Sequence, residues 1–176
     1  LTLWLHINAL KDHHNRVLNY VGVISDLTER KENEERLAYL ENFDLLTDLP
    51  NRVYFNLQLQ QYLMNKSKPL SHFAIIRLNI DRFRHFNEFL NHQAGDDILR
   101  QVSKRLKSIC SDALLIAYLN NNDFALIYNL SLSRPPIRQT VDLILKAFQD
   151  PFFIQAQEHN ISVSLGVAIY PEHGRQ

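Results

Sequence analysis

The sequence holds a single cysteine, Cys110, which excludes an internal disulfide and any multi-cysteine zinc or iron–sulfur centre. A reducing, cytoplasmic setting is the expectation that follows. Nineteen basic and nineteen acidic residues cancel, so no basic field points to nucleic acid and no acidic tail points to a solvating segment. Long hydrophobic runs are missing as well. The run from Ala113 to Ala117 is far too short to cross a bilayer, and the first residues show no basic stretch followed by an apolar one, so no membrane contact is expected from this stretch of chain. The four glycines, Gly22, Gly95, Gly166 and Gly174, are too dispersed for a phosphate loop of the Walker or dinucleotide type, and no serine sits in a nucleophile elbow. Eight histidines are scattered, with His13-His14 in a loop and no pair at helical ligand spacing, which argues against zinc.

What is present suits a soluble globular fold: 176 residues, enough for one domain or for one domain with part of another. From Leu1 to Ala9 apolar and polar residues alternate, Val17 to Ile24 forms a second β-branched run, and the polar stretch Lys11 to Arg16 joins them as a hairpin. Two strands cannot bury a core alone, so residues 1–25 are expected to be the end of a larger domain. Residues 26–43 change character: Thr28 to Arg36 is almost wholly charged or polar, and neither glycine nor proline occurs again before Pro50. This predicts a helix with a thin apolar stripe of Leu37, Leu40 and Phe43, with Glu29 beside Arg30 or Lys31 and Glu32 near Arg36 mixing charge along its surface. It reads either as a solvated helix or as a parallel seam between two subunits.

Beyond it, helical patterns cover Arg52 to Met64, Phe83 to Leu90, Asp96 to Ile109 and Ile137 to Phe148. Strand patterns cover Phe73 to Ile80, Leu114 to Leu119, Phe124 to Tyr128, Phe152 to Gln155 and Ile161 to Ile169. Two strands joined by a tight turn must run antiparallel, so the fold class is α+β, with a mainly antiparallel central sheet flanked by helices.

Carboxylates gather in two places. Asp81 ends the apolar strand, where an acid is well placed for a magnesium–nucleotide site, and Asp96-Asp97 follows Gly95, where Asp96 reads equally well as a helix cap. The run Asn120-Asn121-Asn122-Asp123 lies between two apolar strands; asparagine tolerates positive φ, so backbone physics alone makes it a competent hairpin turn.

In order along the chain, four segments resemble the GGDEF domain of cyclic-di-GMP signalling. Asp44-Leu45-Leu46-Thr47-Asp48-Leu49-Pro50-Asn51-Arg52 is similar to the family's "DxLTGLPNR", with Asp48 where glycine is usual. Asn79-Ile80-Asp81-Arg82-Phe83, continuing through Asn87, His92 and Gly95-Asp96, resembles "DIDxFKxIND...GHxxGD". Asn120 to Phe124 falls where "GGDEF" is expected, and Ser162 to Ala168 resembles "VSxSxGVA". The hairpin and the junction Asp26-Leu27-Thr28-Glu29-Arg30-Lys31 are similar to the end of a PAS sensor domain. In such proteins the next helix pairs across a dimer, which favours the seam.

The resemblance implies a palm-type, ferredoxin-like domain over residues 44–176, ending before the family's last helix. The family condenses two GTP into cyclic di-GMP with magnesium, held by the positions that are here Asn79, the carbonyl of Ile80, and Asn122. Amides in place of two carboxylates predict a regulatory, catalytically inactive relative; the alternative is an active diguanylate cyclase with unusual ligands. Asn120 and Asn121 satisfy the turn's dihedrals, but their side chains intrude where glycine lets a nucleotide approach. Asn87 and Asp96 match the guanine-recognising residues, and Arg84, beside Phe83, takes the place of a phosphate-facing lysine, which leaves weak GTP binding open. Ile80 and Asp81 are the remnant of the metal site, with magnesium expected only alongside nucleotide. Ser111 and Leu114 replace the "RxxD" of product feedback, so none is expected. Pro151-Phe152 and Tyr170-Pro171-Glu172-His173-Gly174 resemble proteins in which an EAL phosphodiesterase domain follows in the same chain.

Overall fold

In a computed structural model of the chain, residues 3–11, 15–64, 72–131 and 136–173 are described, and the contacts divide them into two compact units, Leu1–Leu40 and Glu41–Gln176. Leu1, Thr2, His13, His14 and Gly174 lie outside the described residues, as does the Glu32 side chain.

In the first unit, β1 (Leu3–Lys11) pairs antiparallel with β2 (Val17–Asp26), from Leu3 opposite Asp26 to Ala9 opposite Tyr20, with a register shift at Leu10/Lys11. Leu3, Leu5 and Ile7 share one face and are more than half exposed, since two strands alone cannot bury a face. Helix α1 (Thr28–Asn42) begins where Asp26 Oδ1 accepts the Thr28 N–H at 2.9 Å. Leu37 and Leu40 are exposed on it. Phe43, expected on the same stripe, falls beyond the helix end and stacks on Tyr54.

The second unit opens with a two-residue ladder, β3 (Phe43–Asp44) against β4 (Leu49–Pro50), too short to show a period in sequence. Asp44 closes the turn between them: its Oδ1 accepts from the Leu46 and Thr47 N–H groups and the Thr47 hydroxyl. Asp48, in the usual glycine position, adopts φ 53°, and its carbonyl accepts from Lys107 Nζ at 2.7 Å. Asn51 then caps α2 (Arg52–Met64) through the Tyr54 N–H.

Next come β5 (Phe73–Ile80), α3 (Phe83–Phe89), α4 (His92–Ile109), β6 (Leu115–Asn120), β7 (Asp123–Asn129), α5 (Ile137–Ala147), β8 (Phe152–Ile154), β9 (Gln157–His159) and β10 (Val163–Tyr170). The central sheet has the order β10-β5-β7-β6 and every pairing in it is antiparallel, the β6–β7 pair as its tight turn required. Helix α4 starts earlier than its apolar pattern because Asn91 Oδ1 caps it on the Ala94 N–H, so Asp96 lies inside the helix and is not its cap. Strand β9 is polar and short, which hid it from a periodicity argument.

Alternation along β5 decides the layers. Ile76, Leu78 and Ile80 are buried with Phe124, Leu126 and Tyr128 of β7 against Ile98, Val102 and Leu106 of α4 and Ile144 of α5. Each such side chain contributes about 1.5–3 kcal/mol by leaving water. The opposite face packs Phe73, Ala125, Ile127 and Ala117 on Phe55 of α2. Arg105 of α4 fastens the α5–β8 connection by donating to the carbonyls of Ala147, Asp150 and Pro151 with its guanidinium 3.6 Å from the Phe152 ring centre. Among the described residues no helix is long and apolar enough to cross a membrane.

Lys107 Nζ also lies 3.5 Å from Asp48 Oδ2, an exposed pair of little worth, and its shorter bond to the backbone carbonyl survives removal of the Asp48 side chain. Asp48→Gly is expected to raise stability by about 0.5–1 kcal/mol by relieving the left-handed strain, read as a higher urea midpoint with unchanged slope.

Candidate functional site

The odd-numbered face of β5 continues past the part covered by α2 to Arg77 and Asn79. The β5–β7 register sets Asn79 directly opposite Asp123, at the foot of the β6–β7 turn. In that turn Asn120 is the last residue of β6 and pairs with Asp123; only Asn121 takes a positive φ, 47°. The dihedral tolerance expected of both asparagines is thus used by one. Tyr118 holds the turn, donating its hydroxyl to the Asn121 carbonyl at 3.0 Å. Burial first, and then the negative charges of Asp44, Asp96 and Asp123, push the Tyr118 phenol up to about 12.

Asn122 folds back onto the end of β5 through both main chain and side chain. Its carbonyl accepts the Ile80 N–H at 3.0 Å, while its Nδ2 donates to the Ile80 carbonyl at 2.7 Å and to Asn79 Oδ1 at 3.0 Å. Asn79 Nδ2 in turn donates to Asp123 Oδ1 at 2.5 Å, and Asp123 Oδ2 receives Arg77 at 2.6 Å. Burial alone would push the Asp123 carboxyl up, but the Asn79 amide and the Arg77 guanidinium outweigh it and hold the group below the usual carboxylate range.

The three groups aligned with the family's magnesium ligands are therefore brought together, but as a hydrogen-bonded set. A hard dication needs converging oxygens with negative charge. Here two of the three groups are neutral amides, and an amide N–H pair points at the other two oxygens. This donor set does not fit magnesium. Among the described residues no cluster of three or more histidine, cysteine, aspartate or glutamate side chains offers another metal site. Asp81 lies beside the network with its Oδ1 accepting from the Ser164 hydroxyl at 2.7 Å.

A cavity of about 540 Å³ opens next to the turn, lined by Phe83, Arg84, Asn87, Glu88, His92, Asn121 and Asn122. Of the expected nucleotide-contacting residues, Phe83, Arg84 and Asn87 line it and Asp96 does not. Arg84 is exposed and paired with Glu88 at 2.9 Å. Asn87 Oδ1 is buried and has no hydrogen-bond partner among the described residues, and it sits where Gly95 leaves room: a Cβ on Gly95 would lie 1.9 Å from it. A larger cavity of about 790 Å³ lies beyond Asn79 and Asp81, bounded by His85, Phe86, Asn160 and Ser162.

Arg77, Tyr118 and Ser164 were missed in sequence. The strand period did carry a signal for Arg77, since residues 77 and 79 must share a face. Tyr118 and Ser164 had none, because their contacts depend on the bend of the turn and on which strand lies beside β5.

A family model described as "Diguanylate cyclase, GGDEF domain" matches residues 41–176. The diguanylate cyclase TpbB of Pseudomonas aeruginosa is 29% identical over 144 residues, 81% of this chain and 33% of TpbB. The cyclic di-GMP phosphodiesterase NbdA of the same species is 29% identical over 166 residues, 94% of this chain and 21% of NbdA. The chain thus spans a third or less of the length of these relatives. A solved structure of TpbB comprising only the GGDEF domain superposes with a TM-score of 0.68 at 29% identity, covering 76% of this chain and 78% of that one. The Asn-rich turn, the β5 end beside it and the sheet that carries both therefore belong to a member of the GGDEF domain family.

Proposed function

We propose that this chain is a regulatory, catalytically silent GGDEF domain within a larger cyclic-di-GMP signalling protein. In this reading residues 1–25 are the end of a PAS domain, 26–43 the helix that pairs in a dimer and relays its state, and 44–176 the degenerate GGDEF domain. The output is an EAL-type phosphodiesterase domain of the same protein. The observation that carries the reading is the Asn122 amide, which donates to Asn79 Oδ1 and the Ile80 carbonyl where the family places a dication. A bound metal stabilises developing charge in phosphoryl transfer by several kcal/mol, so its loss lowers turnover by roughly a thousandfold or more. NbdA, named as a phosphodiesterase and similar over most of this chain, supports a place beside such an output domain.

The unpartnered Asn87 Oδ1 and the cavity it lines support weak guanine-nucleotide binding. Recognition of this kind depends on the space above Gly95.

Incubation with GTP and magnesium, followed by chromatography, is expected to yield no cyclic di-GMP; clear turnover would make the domain a working cyclase, as TpbB is named. Asn79→Asp combined with Asn122→Asp is expected to remain inactive, because Asn120 and Asn121 still place side chains where the nucleotide must approach. Calorimetric titration with GTP should give a weak signal at millimolar ligand. Gly95→Ala, which displaces Asn87, should abolish it, and an absence of heat in the unaltered protein would reduce the domain to a scaffold.

A further inference from the structure

The two amides at the β5 end could in principle face either way, and their neighbours decide which. The Ile80 carbonyl and the Asp123 carboxylate can only accept. Asn122 must therefore turn its nitrogen towards Ile80, and Asn79 must turn its nitrogen towards Asp123. Asn79 Oδ1 then points back at Asn122, which spends its second N–H on it at 3.0 Å. The four hydrogen bonds that link Ile80, Asn122, Asn79, Asp123 and Arg77 thus run in one consistent direction. Flipping either amide sets oxygen against oxygen.

The geometry points to Asn122 as a built-in replacement for the cation: its amide nitrogen ties the end of β5 to the β6–β7 turn, so the fold holds there without metal and is closed to divalent ions. This deepens the silent-domain reading and rests on it for which oxygens the family gives to the metal. Magnesium at its usual ligand distance of about 2.0–2.1 Å could reach the Ile80 carbonyl only after Asn122 swung out and gave up both hydrogen bonds. The gap left by removing the donor has the opposite character. With a carboxylate at position 122, three oxygens face one another, an arrangement that a bound cation relieves.

The test is thermal unfolding of the protein without nucleotide, in chelator and in millimolar magnesium or manganese. The unaltered protein is expected to melt at the same temperature in all three. Asn122→Asp should melt lower in chelator by about 3–8 °C and regain most of that loss with either metal. Asn122→Ala, which removes the tie without adding charge, should also melt lower and show no response to metal. Stabilisation of the unaltered protein or of Asn122→Ala by the cations would overturn the replacement. So would an Asn122→Asp variant as stable in chelator as the unaltered protein, or one that metal fails to restore. Should Asn122→Asp not fold, the unaltered protein and Asn122→Ala decide between the same outcomes. Turnover of GTP would sink the silent-domain reading without altering these melts, so the two can fail separately.

Discussion

Strand β5 is paired on both edges, with β10 on one side and β7 on the other, and its register against β7 governs the rest of the domain. A slip of one residue would exchange its faces, sending Arg77 and Asn79 into the core and Ile76, Leu78 and Ile80 out of it. Those three aliphatic side chains hold the register, because each is essentially inaccessible to solvent beneath α4 and α5. The same constraint sets Asn79 opposite Asp123. The polar arrangement at the strand end is a consequence of the hydrophobic one in its middle.

The local chemistry around this strand is economical in a way that explains the tolerance of unusual residues. The β6–β7 connection does not need glycine for its backbone, since a single left-handed residue, Asn121, suffices when Tyr118 holds its carbonyl. Asp48 is tolerated at another left-handed position because Lys107 satisfies its carbonyl from α4. In both places a family glycine has been replaced and a neighbouring side chain meets the hydrogen-bonding need of the altered turn. Gly95 differs. There the absence of a Cβ makes room for a side chain on another helix, Asn87, and no hydrogen bond could substitute for that space.

Much of this was legible in sequence where a period or a turn signal was long enough to count. Helix α2 and strand β5 occupy the expected residues, and the tight polar turn implied the antiparallel β6–β7 pair. The errors share a cause. Phe43 was assigned to a helix that ends one residue earlier, Asp96 was weighed as a cap that Asn91 supplies, and β9 was too polar and brief to notice. Each depends on one hydrogen bond or one short pairing rather than on a repeated pattern. That Asn79 and Asn122 carry amides where the resemblance expects carboxylates could be read from the sequence alone. That their amides would bond to each other in one fixed direction could not, because it depends on Ile80 and Asp123 being unable to donate.

An ion site is also a port through which the surroundings act on a fold: occupancy follows the free concentration of the ion and of any chelating metabolite. With Asn122 in place of a cation, as proposed above, the chain of amides has no such port. Its only titrating member, Asp123, is held ionised by Asn79 and Arg77, so the junction stays in one state across the physiological range of acidity. In the proposed reading, a segment built in this way does not register the ion concentrations to which a metal site responds. A change in its posture, on the same reading, arrives mechanically, through the chain that enters or leaves it.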